Sequence, residues 1–450
     1  MKTFAAAIAL AAASALPATP VLAQDAAQTP ATPDWVETSN AYTQKLITFE
    51  AGFYPEGASS SGYEQYDGLT FDYSPDSTER YVAGAKELRE EFTAAMARES
   101  NVNVKQDLAI LIDNLDRSIL SSELNERMML EWNELPQSIF YSIGAILSDQ
   151  TAENRRASAV QLLNRYTGVA DGFEPYTELA KARFEASRGD GKIGPYRVEV
   201  EDSIGKIPTF ASGIRDLFEK YEIDGAEAAL DAMDRQFADY GEWTRTVVLP
   251  AARADARLPE ELYALSLRNV GIEMDPREAM SQARRGFYEL RAQMEALAPQ
   301  IAEKYGWEET DMASVMANLK KQTIDNSEIE EFYRNVNRQL EEKIREHDIV
   351  SLPDSELQMR VASAAESAAQ PAPHMRPPRL IGNTGEQGTF VLTVGNPTAG
   401  PDDVYDDFNH PAASWTLSAH EARPGHEMQF AALVENGVSL ARMLYGRKGS

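Results

Sequence analysis

Three side chains within seven residues, His420, Glu421 and His426 of the segment His420-Glu421-Ala422-Arg423-Pro424-Gly425-His426, combine two imidazoles with a carboxylate. Proteins use this donor set to hold a divalent metal and activate water for hydrolysis: imidazoles bind the ion, an open coordination position takes the water, and a nearby carboxylate serves as base. The chain has five histidines in all, and two of them are here. In the simplest zinc-peptidase arrangement the two histidines stand four apart on a helix, with the glutamate after the first. Here they stand six apart. On a regular helix that spacing turns the two side chains about 120° away from each other. Pro424 has no N–H to return to the His420 carbonyl, and Gly425 accepts dihedrals closed to other residues. The pair therefore predicts a looped-out turn that brings His426 back to the face of His420. A proline costs about 3 kcal/mol in an ordinary helix interior, which argues that the break has a purpose. A structural cluster of common surface residue types is the bland alternative, and the three residues alone leave it open.

The elements that must position this segment are mostly helical. Leu108, Leu111, Ile112, Leu115 and Ile119 form one apolar stripe at helical spacing. A second stripe is Met280, Ala283, Phe287, Leu290, Met294 and Leu297, with Asp275 as its N-cap, Pro276 in the first turn and Glu278 three residues on. A third is Ile329, Phe332, Val336, Leu340 and Ile344. All three are expected to face a core. Ala51 to Ser77, dense in Gly, Ser, Tyr and Asp, reads as a long irregular excursion whose aromatics Phe53, Tyr54, Tyr63, Tyr66, Phe71 and Tyr73 either line a substrate cleft or, the favoured reading, pack it onto the helices. After Leu352 the helical period gives way to a small-residue run and the cluster Pro371, Pro373, Pro377 and Pro378. Thr389 to Val394 then reads as a short strand closed by Gly395-Asn396.

The N-terminus carries one charge at Lys2, an apolar run from Phe4 to Leu16 and Val21-Leu22-Ala23 before Gln24, the pattern of a secretory signal peptide cleaved after Ala23. Export to the periplasm or the medium is expected. With no cysteine, the chain offers neither a disulfide nor a lipoprotein anchor, and no stable membrane anchor is expected. A formal charge of −28 argues against nucleic acid as partner, since phosphates would repel most of this surface. A thiol nucleophile is excluded, and neither a phosphate loop nor a Gly-x-Ser-x-Gly elbow occurs. The expected organisation is a signal peptide over 1–23, a disordered leader over 24–40, a helical domain over 41–352, a Pro-rich connector over 353–380 and a partial metal-site region over 381–450. The fold class is mainly α, a large helical domain with a short β element beside the motif helix.

The run Leu417-Ser418-Ala419-His420-Glu421-Ala422-Arg423-Pro424-Gly425-His426-Glu427-Met428-Gln429 resembles the His-Glu-x-x-Pro-Gly-His-x-x-Gln signature of the bacterial domain of unknown function 885 family, which is regarded as zincin-like. The likeness extends upstream through Thr389 to Val394, Gly271-Ile272-Glu273-Met274-Asp275 and Trp132-Asn133-Glu134-Leu135-Pro136. It implies a zinc-dependent peptidase acting on a peptide or protein substrate. His420 and His426 would be metal ligands, Glu421 the general base and Gln429 a polar group behind the ligands. By analogy with zincins, Phe390 and Leu392 on the strand before the motif helix would line the bound peptide. Members of the family continue to a Glu-Gly-Trp-x-x-Tyr-x-Glu segment whose glutamate looks like the third ligand. These 450 residues do not contain that segment, and the expectation is a chain truncated before it. Glu435, Asp406, Asp407 and His410 are the substitutes to weigh, with a solvated surface role the default for each. His347, among charges, and His374, in the connector, are not expected to act. The competing expectation is a non-catalytic helical binding protein or fragment that holds no metal.

Overall fold

The computed structural model describes residues 33–353, 355–394, 408–435 and 439–446. The signal peptide, its cleavage point and the Asp406-Asp407 pair lie outside these residues. Helix α1 (Asp34–Ala51) begins inside the segment expected to be a disordered leader to residue 40. Asp34 and Glu37 in its first turn suit the positive end of the helix dipole, and Val36, Ser39 and Thr43 are already buried. α2 (Ser77–Arg98) and α3 (Val102–Met128) pack along each other and against α1. Their core joins Leu46, Phe92, Leu108, Leu111 and Leu115. The first stripe therefore faces inward as its spacing predicts.

A second core gathers α4 (Leu135–Ile146), α5 (Arg197–Lys220) and α6 (Glu227–Trp243) around Phe140, Ile143, Phe210, Ile214 and Phe237. The excursion between α1 and α2 is not structureless. It holds a short helix, Pro55–Ser61, and a 3-10 turn, Glu64–Tyr66. Tyr73 and Phe71 pack on the second core and Phe53 on the first, which is the packing role expected of its aromatics.

Helix α7 (Pro276–Tyr305) has the cap the sequence predicts, with Asp275 accepting from the backbone N–H groups of Arg277 and Glu278. It stops at Gly306, whose φ of 69° is left-handed. Its stripe does not meet a core. Met280, Phe287, Leu290, Met294 and Leu297 are exposed, and only Ala298 and Ala302 of the helix are buried. Periodicity located an apolar face correctly, but no described element covers it. α8 (Ile329–Glu346) buries Ile329, Val336 and Ile344 of the predicted stripe, leaves Phe332 and Leu340 partly buried, and also buries Tyr333, which the stripe does not include.

The segment predicted to be a Pro-rich connector carries two strands and a short helix. β1 (Gln358–Val361), α9 (Ala364–Ala369) and β2 (His374–Arg376) precede β3 (Thr389–Leu392). The sheet order is β1-β3-β2, with β1 parallel and β2 antiparallel to β3. Met359, Phe390 and Met375 fall in register across it and face α8. The prolines flank the strands, where a missing N–H costs no ladder bond. The fold is mainly helical with one small sheet, as the sequence predicts.

Candidate functional site

The motif is carried by α10 (Pro411–Glu421) and α11 (His426–Glu435). The predicted bulge within one helix is instead a break between two. α10 ends at Glu421, Ala422 leaves helical geometry at ψ −109°, and α11 restarts at His426. The Arg423–Pro424 peptide is cis. The crossing is so tight that a Cβ on residue 425 would lie 1.7 Å from the His420 carbonyl oxygen. Only glycine fits there.

This break brings the two imidazoles together. Their ring centroids are 4.8 Å apart with the planes at 90°, which is the convergence the Pro-Gly pair predicts. Gln429 Oε1 lies 3.0 Å from His426 Nδ1, fixing the ring and leaving Nε2 for another partner. Glu421 stands beside the pair, its Oε1 3.8 Å from His420 Nε2, while its Oε2 accepts a 2.9 Å hydrogen bond from the backbone N–H of Met375 on β2. His420 is about half exposed, with 54% of its side chain accessible, so the site opens to solvent on that side.

Under the turn lies Arg423, almost wholly buried. Its Nε donates to Glu427 Oε2 at 2.8 Å, Nη2 to Glu427 Oε1 at 3.1 Å and to the Ser355 carbonyl at 2.7 Å, and Nη1 to Glu341 Oε1 at 2.8 Å. These charge-assisted bonds raise the guanidinium pKa against the burial that would lower it. They tie the turn to α11, to α8 and to the segment preceding β1. Sequence reasoning passed over this network. The opposite charges of Arg423 and Glu427 at a spacing of four were a readable signal, but nothing local pointed to Glu341.

Several expectations need correction. Phe390 and Leu392 cannot line a bound peptide: β3 is the central strand with both edges paired, and both side chains are fully buried in the core beneath α10 and α11. The strand edge that reaches the motif belongs to β2. His374, expected to sit in a flexible connector, is on that strand, where burial pushes its pKa below the ordinary imidazole range against the opposing pull of Glu366 and Glu421. His410 is buried at the far end of α10, about 15 Å along the axis from His420. Glu435 is exposed at the far end of α11, and His347 lies exposed at a charged helix end. None of these joins the pair. Among the described residues no group of three or more His, Cys, Asp or Glu side chains is placed to hold a metal ion.

The profile described as bacterial protein of unknown function (DUF885) matches residues 55–447. The chain belongs to the DUF885 family. A crystal structure of a protein assigned as a lipoprotein from Colwellia psychrerythraea is similar to this DUF885 chain with a TM-score of 0.65 at 14% identity, covering 92% of this chain and 74% of the other. At that identity the likeness establishes the fold. No curated protein matches the sequence. No described helix of this DUF885 member is long and apolar enough to cross a membrane.

Proposed function

We propose that this DUF885 chain is an exported zinc-dependent peptidase in which His420 and His426 hold the metal and Glu421 is the general base. The supporting observation is the meeting of the two imidazole rings, 4.8 Å between centroids, across a helix break that glycine alone permits. The donors suit zinc in kind, and Gln429 orients one of them as ligand histidines are commonly oriented. Zinc, when bound, would polarise the scissile carbonyl. Glu421 would take a proton from the attacking water and pass it to the leaving amine nitrogen. The Met375 N–H holds its carboxylate toward the histidines. The third donor, on this reading, belongs to the Glu-Gly-Trp-x-x-Tyr-x-Glu segment of the family, which these 450 residues lack.

The competing reading is a chain that holds no metal, and the lack of a third donor among the described residues favours it. Zinc analysis and peptide hydrolysis, run on this chain and on one extended by the downstream segment, separate the two. Zinc near one per molecule in the extended chain, with Glu421→Gln keeping the metal and losing hydrolysis, is the expected result. Less than about 0.1 zinc per molecule in both chains, with no hydrolysis, would sink the peptidase reading.

A further inference from the structure

A cavity of about 910 Å3 lies between α4, α5 and the sheet. The side formed by the two helices and the residue after α4 contributes the apolar Phe140, Leu147 and Leu217, with Asp216 and Lys220 of α5 beside them. The opposite wall carries Arg360 of β1 and Arg376 of β2. Between these two cations stands one carboxylate, Glu366, and it is committed to Arg360: Nη2 donates to Oε1 at 2.6 Å and Nη1 to Oε2 at 2.8 Å. The Ser363 N–H takes a further position at 2.9 Å. Arg376 is left with a 3.8 Å approach to Glu366 and a 3.2 Å bond to the Gly144 carbonyl. The other acids near the cavity are engaged or peripheral. Asp149 accepts from Tyr221 at 2.8 Å and from Lys220 at 3.3 Å, Glu386 is paired with Arg379, and Asp216 is exposed. The Arg360, Glu366 and Arg376 cluster is thus one positive charge in excess, inside a chain of net charge −28. A third of the Arg376 side chain, 33%, remains accessible, while its surroundings hold the guanidinium pKa below the ordinary arginine value by desolvation. An arginine in that state gains from a desolvated anion, and its planar fork matches a carboxylate.

We propose that this cavity binds the free C-terminal carboxylate of a peptide at Arg376, with an apolar last side chain against the α4 and α5 wall. Arg376 follows Met375, whose N–H holds Glu421, so the strand β2 borders both the cavity and the candidate base. The inference rests on the peptidase reading for its choice of a peptide ligand and deepens it toward action near chain ends. The motif itself does not distinguish endo- from exopeptidase action.

The test is calorimetric titration of the metal-free full chain with N-acetyl-Ala-Ala-Phe as free acid and as amide. The acid is expected to bind at least about tenfold more tightly than the amide. Arg376→Gln should erase that preference, and Arg376→Lys should retain part of it because the charge remains. Equal binding of acid and amide by the unaltered chain, binding of neither, or inorganic phosphate competing as strongly as the peptide acid would each overturn the assignment. So would an Arg376→Gln chain, folded by thermal melting, that still prefers the acid. No step of this titration needs turnover or metal, so its failure is distinct from a failure to find zinc or hydrolysis.

Discussion

Helices α3 and α7 both carry apolar stripes at helical spacing, and the molecule treats them in opposite ways. On α3, Leu111 and Leu115 are fully buried between α1 and α2. On α7, Leu290 is 61% and Phe287 58% exposed. The same contrast holds for charge. Arg291 and Glu295 of α7 form a pair four residues apart with both side chains 53% exposed, whereas Arg423 and Glu427, also four apart, are each 2% exposed beneath the motif. A repeat along one helix reports which side chains share a face. The energy of that face depends on what lies against it, and that partner is set by distant sequence.

The comparison can be broken in four places. The largest effect is expected at the buried ion pair. Arg423→Ala leaves Glu427 without its counter-charge in a closed turn, while Glu341 keeps Arg345, and should cost about 3–5 kcal/mol, against at most about 1 kcal/mol for Arg291→Ala on α7. Urea unfolding reads both, and similar losses would show that α7 is covered in solution. Next are the stripes themselves. Leu111→Ala should cost roughly 2–5 kcal/mol through the cavity it leaves, while Leu290→Ala should stay within about 0.5 kcal/mol.

The third place is pH. The pKa of Glu366 is lowered from 4.5 to about 2: hydrogen bonds and charge from Arg360, with the Ser363 N–H and Arg376, outweigh the desolvation that would raise it. A carboxyl whose folded pKa is depressed contributes stability above its unfolded value and loses it as pH falls through the folded one. About 3 kcal/mol should therefore disappear between about pH 5 and pH 2. Glu366→Gln should flatten that part of the stability curve, and an unchanged slope in the variant would assign the loss to other groups. The smallest effect is expected from Phe287→Glu with Leu290→Lys, which should change stability by no more than about 0.5 kcal/mol and leave the sedimentation coefficient unaltered. A shift in either would mean that the exposed face of α7 has an occupant.

Much of this protein was legible from its residues because the relevant physics is local. The cap and first turn of α7, the inward face of α3, the strand at β3 and the break at Pro424-Gly425 all follow from backbone dihedrals, missing donors and the period of apolar side chains. The convergence of His420 and His426 was legible for the same reason. Other features were not. β1 and β2 were hidden because runs of three or four residues, the second of them among prolines, carry no periodic signal, and they become strands only by pairing with β3. The central place of β3, which removes Phe390 and Leu392 from any substrate surface, is a property of the sheet order. Glu341 meets Arg423, and Met375 meets Glu421, across separations of 82 and 46 residues. The sequence by itself determined which residues could do chemistry and where the helix must break, since both depend on neighbours within a turn. Which stripe is core, which strand is an edge and which charge is left uncompensated were decided by tertiary structure, because burial and pairing belong to contacts that no short window contains.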